Sequence, residues 1–225
     1  MLKFYFNGSP NPTKVALFLE EAGLLYEAVA VDTKRGQQFG SEFLKLNPNA
    51  KVPVIDDGGT IVFDSNAILL YLAEKHDMFM PESRYRGDML SWLMFVATGI
   101  GPYSGQAVHF RHFANDASPY SSNRYQFEAE RHFKVLDDHL TSNEFLVGGR
   151  YSFVDMAAWG WARMMDFVMG DGASSRFPHV QRLVDQIGAR DAAIRALALK
   201  ERFQFKPAFD DEARRHMFRH QHQKS

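Results

Sequence analysis

Asn49-Ala50-Lys51-Val52-Pro53-Val54-Ile55, followed nine residues later by Asp64-Ser65-Asn66-Ala67-Ile68, decides how the first part of the chain is read. A proline stands directly before an apolar, strand-like run. An acidic residue and a serine then stand where a helical pattern begins. Backbone exposed just before a proline can pair with another extended peptide. A carboxylate and a hydroxyl at a helix N-terminus can hold the charged end of an amino acid. Together the two segments describe a place to hold a small peptide by backbone and charge.

Working outward, Val54-Ile55 and Ile61-Val62-Phe63 flank Asp56-Asp57-Gly58-Gly59, a strong hairpin signal. Leu2 to Phe6 reads as a short strand and Tyr26 to Val31 as another. Between them Asn11-Pro12 suggests a helix start, with Asn as cap and Pro at the first helical position. Val15, Phe18, Leu19 and Ala22 follow at helical spacing, and Gly23 offers a stop. Ser41 to Leu46 reads as a helix ending before Asn47-Pro48, and Ser65 to His76 as a third helix. The order β-α-β-α-β-β-α is that of an α/β thioredoxin-like domain with an antiparallel final hairpin.

Strand signals then stop. The segment 78–84, containing Pro81, reads as a linker, and helical patterns occupy about 85–113, 121–140, 153–169, 178–187 and 191–203. This shift predicts a thioredoxin-like domain over 1–77, an all-α helical-bundle domain over 85–205, and a C-terminal tail over 206–225 that is polar and frayed from Arg214 onward. Ser152 and Asp155 form a capping box at the start of one of the later helices.

The chain has 225 residues, 45% hydrophobic and 24% charged, an ordinary globular balance. A net charge of -1 gives no reason to expect nucleic acid or an anionic membrane as partner. No apolar run approaches the roughly 20 residues that span a bilayer. Asn7 and Gly8 interrupt the N-terminal apolar stretch, so a cytoplasmic location is expected. There are no cysteines, which excludes disulfides, thiolate metal sites and a protein-borne thiol nucleophile. Any sulfur chemistry must arrive on a ligand. Twenty phenylalanines and ten methionines predict an aromatic, adaptable core.

The Lys51-Val52-Pro53-Val54 element, the Asp64-Ser65 pair, the two-part layout and the capping box resemble those of glutathione transferases over nearly the whole chain. Tyr5-Phe6-Asn7-Gly8-Ser9-Pro10-Asn11 with Gly36-Gln37-Gln38-Phe39 is most similar to the bacterial Nu class and the yeast-prion-like members. An X-Pro bond is cis in only about 5–6% of cases, so trans is the expectation from the residues alone. The resemblance instead implies a cis Val52-Pro53, with Val52 pairing to the cysteinyl part of glutathione. It also implies that Lys51 and Pro53 belong to that binding element. Asp64 would take the γ-glutamyl ammonium and Ser65 its carboxylate, whereas the residues alone are equally read as a helix cap. In the family the acid is commonly Glu; the shorter Asp64 alters the reach. Gln38 would contact the glycyl end.

Glutathione's thiol resembles a free cysteine, with a pKa of about 8.5, and catalysis needs more thiolate near neutral pH. A Ser hydroxyl, an Asn amide and a helix N-terminus can donate to sulfur. The resemblance ranks Asn11 first, Ser9 second and Tyr5 third in this role; by their position alone, Ser9 and Asn11 are equally helix-capping residues. Gly99-Ile100-Gly101-Pro102 should break or kink its helix. By resemblance the following Tyr103 and Gln106 line a second-substrate pocket, and Arg131 reaches glutathione carboxylates, from the same or the neighbouring subunit. Arg131 can equally pair with Glu128 or Glu130 on its own helix. His109, His112, His216, His220 and His222 raise a metal reading, but no HExxH motif exists and no metal is expected.

The resulting expectation is a homodimeric, glutathione-dependent disulfide reductase or peroxide-reducing transferase. With no cysteine, the resolving thiol must come from a second glutathione, so two glutathiones or one oxidised glutathione are expected per site. Conjugation to aromatic electrophiles, including ether cleavage, and non-catalytic glutathione binding are the alternatives.

Overall fold

The computed structural model describes residues 1–114 and 118–219. Two compact units are formed: Met1–Tyr71 together with the described residues from Ile194 onward, and Leu72–Ala193. The first differs from the division expected from sequence, because residues 194–219 pack with the N-terminal segment instead of closing the helical domain.

In the first unit, strands β1 (Leu2–Phe6), β2 (Tyr26–Ala30), β3 (Val54–Asp57) and β4 (Thr60–Phe63) make one sheet in the order β2-β1-β3-β4. β1 and β2 are parallel, joined by helix α1 (Pro10–Glu21), and both later pairings are antiparallel. Asp57 pairs with Thr60 across Gly58 and Gly59, whose φ values of 62° and 97° suit the two-residue turn. Leu2, Phe4 and Phe6 are buried, while Tyr5 packs with Val31, Phe43, Val54, Leu46 and Val52. Phe43 comes from helix α2 (Ser41–Leu46). This alternation is the period-2 pattern of a strand with both faces covered. Helix α3 (Ser65–His76) follows β4 and continues into the second unit.

The second unit is helical: α4 (Arg86–Phe95), α5 (Gly101–Val108), α6 (Pro119–Leu140), α7 (Phe153–Ala162), α8 (Met165–Met169) and α9 (Pro178–Gly188), with the start of α10 (Asp191–Ala198). The glycine-proline run does not break its helix. Residues Val96–Ile100 form a π-helical turn leading directly into α5, and His109–Phe113 form a second. Pro102 lies in the first turn of α5, and a Cβ on Gly99 would sit 2.4 Å from the His132 ring. Glycine there admits the histidine. The capping box is present: Asp155 accepts from the Ser152 N–H at 2.8 Å and the Ser152 hydroxyl at 2.9 Å, and the Ser152 hydroxyl accepts from Val154 N–H at 3.3 Å.

The expected frayed tail is a helix over much of its described length. Helix α11 (Asp211–Met217) is capped by Asp210, whose carboxylate accepts from Ala213 N–H at 2.9 Å. Asp211 and Glu212 at its start and Arg214, Arg215 and His216 at its end complement the helix dipole. The polarity of this stretch suits a short helix that buries only Ala213.

Candidate functional site

The sheet register gathers the predicted segments at one end. Phe6 pairs with Ala30, Tyr5 with Val54, and Val54 with Phe63. The chain therefore leaves β1, β2 and β4, and enters β3, at the same edge of the sheet. Residues 7–11, 31–40, 51–53 and 64–66 are brought together there.

Helix α1 starts two residues earlier than its sequence suggested. Ser9 is the N-cap, Pro10 the first helical residue, and the first helical bond runs from Thr13 N–H to Ser9 C=O at 3.2 Å. The first three helical positions make no intrahelical donation, so two prolines fit there without losing a bond. Pro10 and Pro12 lack a donor, which leaves Asn11 as the residue of that turn with an N–H. The Ser9 hydroxyl does not cap the helix; it donates to Asn7 Oδ1 at 2.6 Å, which also accepts from Ser9 N–H at 3.0 Å. Asn7 Nδ2 in turn donates to Thr33 Oγ1 at 3.2 Å. Asn7 thus orients the serine. Tyr5 instead turns its ring onto Phe43, 6.1 Å between centroids, as part of the core under the sheet.

The Val52-Pro53 peptide bond is cis, against the expectation from the residues alone. Asn47 Nδ2 donates to Lys51 C=O at 2.7 Å and holds the turn, while the Lys51 side chain is exposed. Asp64 adopts φ 71°, a left-handed conformation that Asp tolerates better than most residues. Its Oδ1 accepts from Asn66 N–H at 2.9 Å and Ala67 N–H at 3.2 Å, capping α3. The second carboxylate oxygen makes no hydrogen bond among the described residues. Ser65 is buried beside it.

Lys14, on α1, points into this corner. It is 1% exposed, and its ammonium donates to Asn66 Oδ1 at 2.8 Å. Burial pushes its pKa down to about 7, and Asp64 pulls it part of the way back. The sequence carried only one signal of this role, a lysine beside the apolar face of a helix.

Gln38 is 4% exposed; its Nε2 donates to Thr33 C=O at 3.4 Å, and its Oε1 is buried without a partner. The loop carrying it is fastened to the C-terminal segment. Asp32, buried and absent from the sequence reading, accepts from Lys34 N–H at 3.0 Å, Arg35 Nε at 3.2 Å and Lys206 N–H at 2.7 Å. Lys34 Nζ donates to Pro207 C=O at 2.7 Å. Gly36 has φ 77°, and a Cβ there would lie 2.5 Å from His216 Nδ1. Between the loop 7–9, the loop 32–34 and the segment 200–207 lies a cavity of about 610 Å³, with Met217 also on its wall.

The remaining candidates belong to the second unit. Tyr103 stacks on His132 with centroids 4.8 Å apart. Arg131 donates to Glu128 Oε2 through Nε and a terminal nitrogen, at 3.1 and 2.9 Å, and the latter lies 3.2 Å from His132 Nε2. The Arg131 hydrogen bond, with Arg124 adding to it, holds the Glu128 carboxyl below its usual range. Gln106 is exposed. His112 stacks on Phe167 at 4.1 Å and bonds its carbonyl at 2.7 Å, a packing role. His220 and His222 lie outside the described residues. Among the described residues, no group of three or more His, Cys, Asp and Glu is placed to hold a metal. Nor is any helix there long and apolar enough to cross a membrane.

Two family models match: the glutathione S-transferase N-terminal domain over residues 1–74 and the C-terminal domain over residues 105–191. The disulfide-bond oxidoreductase YfcG of Escherichia coli is 41% identical over 205 residues, covering 88% of this chain and 94% of that protein. A glutathione transferase family member from Pseudomonas fluorescens, solved with two glutathione bound, superposes with a TM-score of 0.83 at 37% identity, covering 87% and 92% of the two chains. A glutathione transferase from Pseudomonas putida, solved with one glutathione disulfide per subunit, gives 0.81 at 35% identity, covering 87% and 90%. On the fold, the sheet-end site and these matches, the chain belongs to the glutathione S-transferase family.

Proposed function

We propose that the protein is a glutathione-dependent disulfide reductase. The observation that carries this reading is the convergence, in a chain without cysteine, of the α1 N-terminus, the Val52-Pro53 turn and the Asp64-Ser65 pair at one end of the sheet. Val52 pairs with the cysteinyl backbone of glutathione. The second Asp64 oxygen takes the γ-glutamyl ammonium, and Ser65 with the α3 N-terminus takes the adjoining carboxylate. Lys51 and Gln38 face the glycyl end, which requires the buried Gln38 amide to become accessible. The thiolate is held by Asn11, the α1 dipole and the Ser9 hydroxyl, whose proton turns from Asn7 Oδ1 to the sulfur. Tyr5, with its ring in the core, ranks below both.

The reaction balances without a protein thiol. The bound thiolate attacks one sulfur of a disulfide RSSR, an S–S bond forms to glutathione, and RS⁻ leaves and is protonated. A second glutathione thiolate attacks the glutathionyl sulfur of the mixed disulfide, giving glutathione disulfide and a second RS⁻. A disulfide-bond oxidoreductase among the relatives supports this reading over conjugation to aromatic electrophiles. Tyr103, Gln106 and Arg131 stand as second-substrate and carboxylate contacts in a homodimer, with Arg131 released from Glu128 to serve.

Thiolate absorbance titrated against pH, with glutathione bound to wild type and to Asn11→Ala, tests the proposal. A bound thiol below about 8.5 in wild type and raised in the variant is expected. An unshifted thiol in both, or disulfide turnover no faster than the uncatalysed reaction, would overturn it. Sedimentation of the purified protein tests the dimer, a monomer being the adverse result.

A further inference from the structure

Asn7 joins the turn that carries Ser9 to the loop after β2, and both ends of its side chain are bonded. Nδ2 donates to Thr33 Oγ1 at 3.2 Å, while Oδ1 accepts from Ser9 N–H at 3.0 Å and from the Ser9 hydroxyl at 2.6 Å. A backbone N–H can only donate, so the group facing it must be the amide oxygen, and this fixes which way the amide points. The same oxygen carries no proton, so the hydroxyl beside it must be the donor. Ser9 has one hydroxyl proton, and Asn7 holds it. The turn is packed from outside as well: a Cβ on Gly8 would lie 3.1 Å from Lys200 Cδ.

A thiolate that comes within reach of Ser9 Oγ therefore meets lone pairs, not a proton. To donate to sulfur, the hydroxyl must first leave its bond to Asn7. The α1 dipole is under no such condition, because helix geometry fixes its direction. We propose that Asn7 is a positioning residue that acts against ionisation: it retains the Ser9 proton and so limits how far the thiol of bound glutathione becomes thiolate. This rests on the reductase reading, in which Ser9 and Asn11 stabilise that thiolate. Nucleophilicity falls as a thiol's pKa falls, and the best attacking thiol has a pKa near ambient pH. An acceptor that competes for the serine proton keeps the sulfur in that range. The charged groups around the adjoining cavity are Asp32 and Lys34 from the loop after β2, and Lys200, Glu201 and Lys206 from the C-terminal segment. None of them bonds to the Asn7 or Ser9 side chain, so their effect on sulfur is common to wild type and variants.

Thiolate absorbance of bound glutathione, titrated against pH, reads the effect in a double-mutant cycle. Asn7→Ala removes the competing acceptor and should lower the bound thiol's pKa by about 0.4–1 unit, the worth of one neutral hydrogen bond. Ser9→Ala should raise it, and in that background Asn7→Ala should shift it by less than about 0.2 unit. Asn7→Asp keeps both acceptor bonds to Ser9, and with them the turn. As a stronger acceptor it should raise the pKa, and by less once Ser9 is alanine. An unchanged or raised pKa in Asn7→Ala, or a shift of the same size without the serine hydroxyl, overturns the proposal. A merely structural asparagine would not act through that one proton. A wild-type bound thiol at its free value overturns the thiolate reading itself, and this inference falls with it.

Discussion

Replacing Lys14 with methionine should stabilise the protein below pH 7 and destabilise it above pH 10. Lys14 is 1% exposed and loses its hydration on folding, which brings its pKa from 10.5 to about 7. Between those values the unfolded chain binds the proton and the folded chain does not, so wild-type stability rises with pH through that window. Below pH 7 the charge must be carried into the fold. At about 1.4 kcal/mol per pH unit, the gap from 10.5 to about 7 sets that cost near 5 kcal/mol. Methionine has a similar stem and removes the cost, but it leaves Asn66 Oδ1 without the donor now 2.8 Å away, a loss of about 1–3 kcal/mol. The variant should therefore gain about 2–4 kcal/mol at pH 6 and lose about 1–3 kcal/mol at pH 10.5. Urea unfolding of both proteins at pH 6, 8 and 10 reads the change directly. A variant equally destabilised at all three would refute the reasoning, because the buried ammonium would then carry no desolvation cost.

Other substitutions separate anchoring from folding. Asp64→Asn keeps a residue that tolerates φ 71° and can still cap α3, but it removes the charge. Glutathione affinity should fall about tenfold or more by calorimetry, with the urea midpoint nearly unchanged. Asp32→Ala strips the acceptor from Lys34 N–H and Lys206 N–H, and should cost about 2–4 kcal/mol by urea unfolding. It should also quicken proteolysis in the 200–207 segment, measured by mass spectrometry of the fragments. Asp155→Ala removes a buried carboxylate that accepts from Leu146 N–H, Ser152 N–H and the Ser152 hydroxyl. A loss of about 3–5 kcal/mol is expected, again in urea.

The parts of this molecule legible in sequence are those governed by neighbours in the chain. The Asp57-Gly58-Gly59-Thr60 turn has positive φ at both glycines, which between two strand-like runs is the signature of a two-residue hairpin. The Ser152-Asp155 box is complete within four residues. Asp64 could be read as a cap because its carboxylate accepts from N–H groups only two and three residues further on. The errors arose where competing local signals had similar strength. Both Ser9-Pro10 and Asn11-Pro12 spell a cap followed by proline, and only the Thr13-to-Ser9 bond separates them. The polar run after residue 206 carried no apolar stripe, so its attachment through Asp32, Lys34 and Gly36 was invisible.

The sequence by itself determined the order of elements, the place of the Val52-Pro53 turn, and the absence of a protein-borne thiol, since each rests on short-range propensity or on composition. Tertiary structure alone decided which side chains meet. Strand register put residues 7, 52 and 64 at one sheet edge, burial turned Lys14 into a proton-sensitive strut, and the returning C-terminal segment set Lys200 and Glu201 beside Ser9. Those outcomes depend on contacts across some 50 to 190 residues of chain, and no local pattern encodes the distance between Gly8 and Lys200.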